Sequence, residues 1–352
     1  MRIETFASVA ELPPGAQRLL AATDGPFAGR PWWDVVLSDA MPDGAEACFV
    51  TVRSGDDLLA LVPMLRRRGR LDSLTTLYTC TYTPLLSVGL DRPARVAAMA
   101  AFARFCRGSG GGVSRLDALP EEWDGLPGLL EGARNAGLRV LQFEHFGNWY
   151  EAVRGLDWPA YLLGRPGALR ETIRRRLRRA EKLPDARFAL LTREEEMDAA
   201  AEAFEVVYRR SWKQPEPYPT FNVALMRAMA GAGTLRFGLW SIGGRPVAVQ
   251  VWVVTAGRAI VLKLAHDEAF KGHSPGTVLT ALMLRDLLDR EHVTEIDFGR
   301  GDDAYKREWA SRRRRRIGVL LVDPWRISGM AALLRHAAGR ARLAMRLSHA
   351  RD

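Results

Sequence analysis

The side chains best suited to chemistry concentrate between Lys263 and Trp309. An apolar run, Ile260 to Ala265, leads into His266-Asp267-Glu268-Ala269-Phe270-Lys271-Gly272-His273 and then Ser274-Pro275-Gly276-Thr277. The order predicts strand, loop and helix. A glycine-containing loop that opens a helix offers unpaired backbone N–H groups and the positive end of the helix dipole to an anion. Ser274 is suited to cap the helix, Pro275 to take its first position, and Gly276 to let a ligand approach the backbone. A capped helix without a ligand carries the same signature. A strand is expected from Val293 to Phe298, followed by Gly299-Arg300-Gly301-Asp302-Asp303-Ala304-Tyr305-Lys306, so polar residues crowd its C-terminal edge. Ligand sites gather at that edge in α/β sheets. Asp297 reads as a functional carboxylate or as a capping or salt-bridged one, and Lys306 as a functional or a solvated cation.

The elements that must position these residues come in two similar halves. Ala47 to Val52 and Leu58 to Met64 read as a strand pair across the turn Arg53 to Asp57. Leu235 to Ile242 and Pro246 to Thr255 form a second pair, with a third strand from Arg258 to Ala265. Helices are expected over Pro93 to Cys106 and Gly276 to Arg290, which suggests an internal duplication. Between the halves, Leu169, Ile173 and Leu177 mark one apolar stripe on a helix otherwise covered by arginine, either a solvated face or a docking surface for phosphates. A further helix, Arg193 to Trp212, carries Ala200, Phe204, Val207 and Tyr208 on one side. The expected division is 1–155, 156–322 and 323–352.

The chain has 352 residues, 47% hydrophobic and 26% charged, enough for about two domains with ordinary cores. Disorder and a disulfide-stapled miniprotein are excluded. No uncharged apolar run reaches the ~18 residues of a membrane span, and Met1 to Ala10 has no signal-like core, so a cytoplasmic protein is expected. Cys48, Cys80 and Cys106 are too widely spaced for a bridge framework or a zinc site, and no metal is expected. The net charge is +10, and only Lys182, Lys213, Lys263, Lys271 and Lys306 are lysines among 51 basic residues. Clusters at Arg66 to Arg70, Arg170 to Arg179, Arg312 to Arg316 and beyond Arg326 predict a polyanion or an anionic surface as partner.

Several of these stretches together resemble the acetyltransferases of the CelD/BcsL type, within the acyl-CoA N-acyltransferase (GNAT) superfamily. The resemblance rests on Ser211-Trp212-Lys213, Gly244-Arg245-Pro246-Val247-Ala248, Ser274-Pro275-Gly276, and Asp297-Phe298-Gly299-Arg300-Gly301 with Tyr305-Lys306. In the first half, Pro31-Trp32-Trp33 and Leu58 to Met64 look like a degenerate copy. The resemblance implies an α/β fold with mixed sheets, built as tandem GNAT-like modules of which the N-terminal one is degenerate. It also implies an acyl thioester bound by the second module and transfer of the acyl group to an amine. One departure stands out: in place of the pyrophosphate loop Gln/Arg-x-x-Gly-x-Gly/Ala the chain has only Lys271-Gly272-His273-Ser274-Pro275-Gly276-Thr277. FemABX-type relatives share the tandem architecture and use aminoacyl-tRNA, which leaves the donor open.

Under this resemblance Lys263, Lys271, Gly272, His273, Ser274, Gly276 and Thr277 are expected to hold the donor, with backbone around Val261 to Ala265 taking the thioester. Asp297, His266 or His273 would relieve the acceptor amine of its proton, and Tyr305 would protonate the leaving thiolate. Lys306 would hold a phosphate or the developing oxyanion. Tyr208, Trp212, Lys213, Tyr218 and Arg300 would line the acceptor side. Three functions remain open: an N-acyltransferase using acyl-CoA or an acidic acyl carrier protein, an aminoacyl-tRNA-dependent transferase, and a non-catalytic scaffold in polysaccharide or lipid assembly. An envelope amino sugar and a lipid amine such as a sphingoid base are both candidate acceptors, and nucleic acid other than tRNA is not expected. After Asp323-Pro324-Trp325 a helix is expected to about Leu347, with Ile327, Met330, Leu334, Ala337, Ala341 and Met345 along one side. That stripe either packs on the protein or enters an anionic membrane at the cytoplasmic leaflet.

Overall fold

The computed structural model describes residues 1–349, with side chains through residue 339. In its first stretch the chain forms β1 (Arg2–Phe6), α1 (Pro14–Ala21), α2 (Arg30–Asp39), β2 (Ala45–Ser54), β3 (Asp57–Arg67), β4 (Arg70–Ser73) and β5 (Leu85–Leu86). Then come α3 (Arg92–Gly108), β6 (Val113–Pro120), α4 (Leu126–Asn135), β7 (Arg139–Ala152), α5 (Trp158–Leu163), α6 (Gly167–Ala180) and β8 (Arg187–Leu191). The remainder comprises α7 (Met197–Arg209), α8 (Phe221–Gly231), β9 (Leu235–Ile242), β10 (Arg245–Thr255), β11 (Arg258–His266), α9 (Pro275–Asp289), β12 (Glu295–Asp297), α10 (Lys306–Trp309), β13 (Arg312–Val322) and α11 (Ile327–His349). The chain thus has the expected mixed α/β character.

Two compact units interleave along the chain: one takes 1–23, 41–145 and 315 onward, the other 24–40 and 146–314. In the first, β1-β2-β3-β4 form an antiparallel meander with β5 on β3, and β13 pairs antiparallel with β6. The three cysteines lie buried and free in this unit, and burial pushes the Cys106 thiol up to about 12, where it is inert. In the second unit the strand order is β8-β9-β10-β11-β12-β7. Every pairing is antiparallel except β11 with β12.

The hairpins lie where the sequence predicts them, because their apolar runs end at Gly and Asp turns. Helix α9 is apolar on nearly all sides, burying Val278, Leu279, Met283, Leu284, Leu287 and Leu288 between the sheet and α6. Leu169 and Ile173 of α6 point inward as the stripe requires, each contributing ~1.5–3 kcal/mol by burial, while Arg174, Arg175, Arg178 and Arg179 face solvent.

Two expectations need correction. The helix expected over Arg193 to Trp212 ends at Arg209, so Trp212 and Lys213 belong to the following loop. The arginine run Arg312 to Arg316 opens strand β13 and is largely neutralised within the protein: Arg313 pairs with Asp302, Arg314 with Glu295 and Asp297, Arg315 with Glu121 and Arg316 with Glu122. A consecutive run on a strand alternates faces, so each arginine meets a different acidic neighbour. The described part of the α11 stripe does not pack on the protein, for Ile327 is 90% and Leu334 69% exposed, with Trp325 just before the helix at 81%. The side chains of Ala341, Arg342, Met345 and Arg346 lie outside the described residues.

Candidate functional site

Strand β11 runs to His266 with one edge paired to β10 along its whole length, down to Ala248 opposite His266. Its other edge meets β12 only over Arg258–Ile260 against Glu295–Asp297. Past that point β12 ends and the chain turns away through Gly299 and Gly301, whose φ values of 67° and 103° favour glycine. A register shift at Val251/Trp252 adds a residue to β11 and bends it where the two strands part. The edge from Val261 to His266 therefore looks onto an opening rather than onto a neighbouring strand, where an extended ligand can take up the free peptide groups.

A cleft of about 650 Å³ lies there, with Trp212, Leu264, His266, Gly276, Thr277 and Tyr305 among its walls and the start of α9 at its side. Ser274 stands at the N-cap in left-handed backbone, φ 53° and ψ 53°, and its hydroxyl does not cap the helix. This corrects the expected side-chain cap, and the first-turn N–H groups of α9 are left without a side-chain partner. A buried amide sets the helix on the sheet: Gln250 Nε2 donates to Thr280 Oγ1 at 2.8 Å and to Gly276 O at 3.4 Å, while its Oε1 accepts from Trp252 Nε1 at 2.8 Å. The preceding loop is tied to α6 by Arg176 Nη1, which donates to Gly272 O at 3.1 Å. Lys271 is exposed at the cleft wall, 4.0 Å from Glu268, and His273 lies beside Phe270 with ring centroids 6.3 Å apart.

His266 faces this cleft with its ring 4.5 Å from that of Trp212, and its Nε2 is 3.4 Å from Glu268 Oε1. Its Nδ1 is buried without a hydrogen-bond partner. Burial lowers its pKa below the ordinary 6.5 against the opposing pull of Glu268 and Asp267, so at pH 7 the ring is neutral and able to accept a proton. Tyr305 lines the same cleft, and burial, with Asp303 adding to it, pushes its phenol up, so it stays a proton donor.

Asp297 and Lys306 lie beside the cleft without lining it. The Asp297 carboxylate accepts from Asn148 Nδ2 at 2.6 Å, Gly299 N at 2.7 Å and Arg314 Nη2 at 2.5 Å. Arg314 also donates to Asn148 Oδ1 at 2.6 Å and to Glu295 Oε1 at 2.9 Å, closing a buried circuit. Lys306, 4% exposed, donates to Arg300 O at 2.6 Å and pairs with Asp303 Oδ2 at 3.0 Å. Both thus pin the glycine turn that parts the strands, and Arg300 itself lies over the Phe146 ring at 4.6 Å.

Successive strand residues face opposite sides, so Lys263 turns away from Leu264 and the cleft. It meets Glu216 Oε1 at 2.5 Å, and the same oxygen accepts from the Tyr208 hydroxyl. Lys213 lies 5.4 Å over the Trp212 ring, whereas Tyr218 sits at the turn that opens α8 and is not a cleft wall. Sequence reasoning missed Glu216, Gln250 and Asn148. Glu216 had one signal, a lone carboxylate held between Pro215 and Pro217; the other two had none. Among the described residues no group of three or more His, Cys, Asp or Glu side chains gathers as a metal site would require.

Residues 167–307, from α6 into α10, match the sequence family described as Acetyltransferase (GNAT) domain. No curated protein matches the chain in sequence. Among solved structures, FemX is similar with a TM-score of 0.59 at 10% identity, covering 91% of this chain and 98% of that one. The C-terminal domain (DUF2156) of a protein assigned as lysylphosphatidylglycerol synthetase from Agrobacterium fabrum gives 0.57 at 13% identity, over 91% and 93%. L-PGS from Bacillus licheniformis gives 0.52 at 10% identity, over 86% and 94%. At these identities the likeness is one of fold, and it extends over nearly the whole chain. The parted strands and the helix N-terminus at their opening thus fall within residues 167–307, the stretch that matches the GNAT acetyltransferase domain family.

Proposed function

We propose that this protein is an N-acyltransferase of the CelD/BcsL type that moves an acyl group from acyl-CoA or acyl carrier protein to an amine of an envelope lipid or amino sugar. The observation that carries this reading is the free edge of β11, which ends against the N-terminus of α9. The pantetheine arm of the donor can extend along Val261 to Ala265, placing the donor's phosphate end toward Lys271 and the first turn of α9 and the thioester beside His266 and Tyr305. His266 takes a proton from the acceptor ammonium, the amine attacks the thioester carbonyl, and the C–S bond breaks as Tyr305 protonates the departing thiolate, the second proton shed by the attacking nitrogen restoring the Tyr305 hydroxyl. Asp297 and Lys306 hold the turn that keeps the strands apart. Residues 156–322 supply the transfer site, 1–155 a degenerate module, and 323–352 a C-terminal segment whose described part is a surface helix.

A lipid acceptor is favoured by α11. From Pro324 to Arg351 the sequence has no acidic residue, and the described helix turns Ile327, Met330 and Leu334 to solvent beside Arg326 and Arg335. Such a helix can lie in the headgroup layer of an anionic leaflet. No helix among the described residues is long and apolar enough to cross a membrane. Aminoacyl-tRNA as donor is the second reading, favoured by the exposed arginines of α6 beside the cleft. Calorimetry of the full chain with a short-chain and a long-chain acyl-CoA, and thiol release with amine acceptors, tests the proposal. Binding of a CoA ester with amine-dependent thiol release is expected; binding of tRNA and of no CoA ester would reject it.

A further inference from the structure

The chain uses arginine almost everywhere, yet three of its five lysines, Lys213, Lys263 and Lys306, are charged neighbours at the open end of β11. Two of them are neutralised internally, Lys263 by Glu216 and Lys306 by Asp303. Lys213 differs: among the described residues no carboxylate comes within 4.0 Å of its ammonium, and the only side chain engaging it closely is the Trp212 ring beneath. It is half-buried, and a half-sheltered cation beside two others is costly unless a counter-ion arrives. Burial first, then Lys263, pulls its pKa below the ordinary lysine value, against Glu216 and Asp303.

Resting on the transferase reading above, we propose that Lys213 binds an anionic group carried by the acceptor, a phosphate or a carboxylate a few bonds from the amine. The geometry assigns this anion to the acceptor rather than to the donor. Leu264 and His266 face the cleft at α9, whereas Lys263, with its partner Glu216, stands on the opposite face of the strand. Trp212 spans the two, its ring against His266 on one hand and under Lys213 on the other. An acceptor seated on Lys213 therefore brings its amine toward the thioester from the side away from the donor phosphates. The acceptor class narrows accordingly to amines that carry a neighbouring anion.

Five lysines make this directly observable. Full-length protein with 13C at lysine Cε gives five side-chain signals, assigned one by one with Lys→Arg variants. Ethanolamine, phosphoethanolamine and β-alanine are titrated in turn, then coenzyme A. The Lys213 signal is expected to respond to phosphoethanolamine or to β-alanine at concentrations about 10- to 100-fold below those needed with ethanolamine, the more effective of the two naming the anion. Calorimetric titration of the same three amines should show that Lys213→Met abolishes the preference and Lys213→Arg retains it. Equal response to all three amines, or none, overturns the assignment, as does a Lys213 signal that moves chiefly with coenzyme A. Calorimetric CoA-ester binding on the same samples separates the two ideas: if it persists while the preference is absent, only the anion site falls, and if it is absent the transferase reading falls.

Discussion

Among individual side chains, the strongest contrast is between Asp297, locked in a circuit with Arg314 and Asn148, and His266, open to the cleft with an unsatisfied nitrogen. Asp297→Asn leaves Arg314 buried with a weaker partner and should cost about 3 kcal/mol in denaturant unfolding. A change below 1 kcal/mol would show that the circuit does not hold the turn. For His266 the sign follows from its lowered folded pKa: the unfolded chain takes up a proton more readily, so stability falls as pH drops through 6.5 toward the folded value and then levels off. His266→Gln should flatten that part of the stability curve, and an unchanged slope between pH 7.5 and 5.5 would count against a sheltered neutral ring. The cleft residues His266, Gly276, Thr277 and Tyr305 were legible because strand, loop and helix follow one another locally. Asn148 and Gln250 reach the site across the sheet from distant strands, which no local pattern announces, and Asp297 looked functional because sequence cannot show that Arg314 returns beside it.

At the level of elements, the site depends on α9 meeting the open edge of β11. A Cβ at Gly276 would meet only His266 Nδ1, at 3.5 Å, which is ordinary contact, and the residue has no positive φ. Gly276→Ala should therefore bind CoA esters as the parent does, while Gly276→Trp should fill the cleft and abolish binding with little change in Tm. Calorimetry alongside thermal melts decides, and normal binding by the tryptophan variant would place the donor elsewhere. The hairpins, α3, α6 and α9 were readable from turns and apolar spacing. Strand β13 was not, because its five opening arginines mask the pattern and its ion-pair partners lie far away in sequence.

For the molecule as a whole, the exposed stripe of α11 predicts that the full chain floats with anionic vesicles at low salt and that a chain ending at Pro324 does not. Equal behaviour of the two would return the amino sugar to first place as acceptor. The interleaving of the units has a further consequence, which concerns how the protein is made. Helix α2 belongs to the second unit, where Trp32 packs edge-on against Phe221 with ring centroids 5.8 Å apart, and both Trp32 and Trp33 are buried. Those tryptophans leave the ribosome about 190 residues before α8 does, a wait of roughly 10–40 s at ~5–20 residues per second. Through that interval the nascent chain carries an aromatic face that Phe27 covers only in part and α8 not yet, so soluble yield should depend on holding chaperones and on the speed of translation more than the finished fold would suggest.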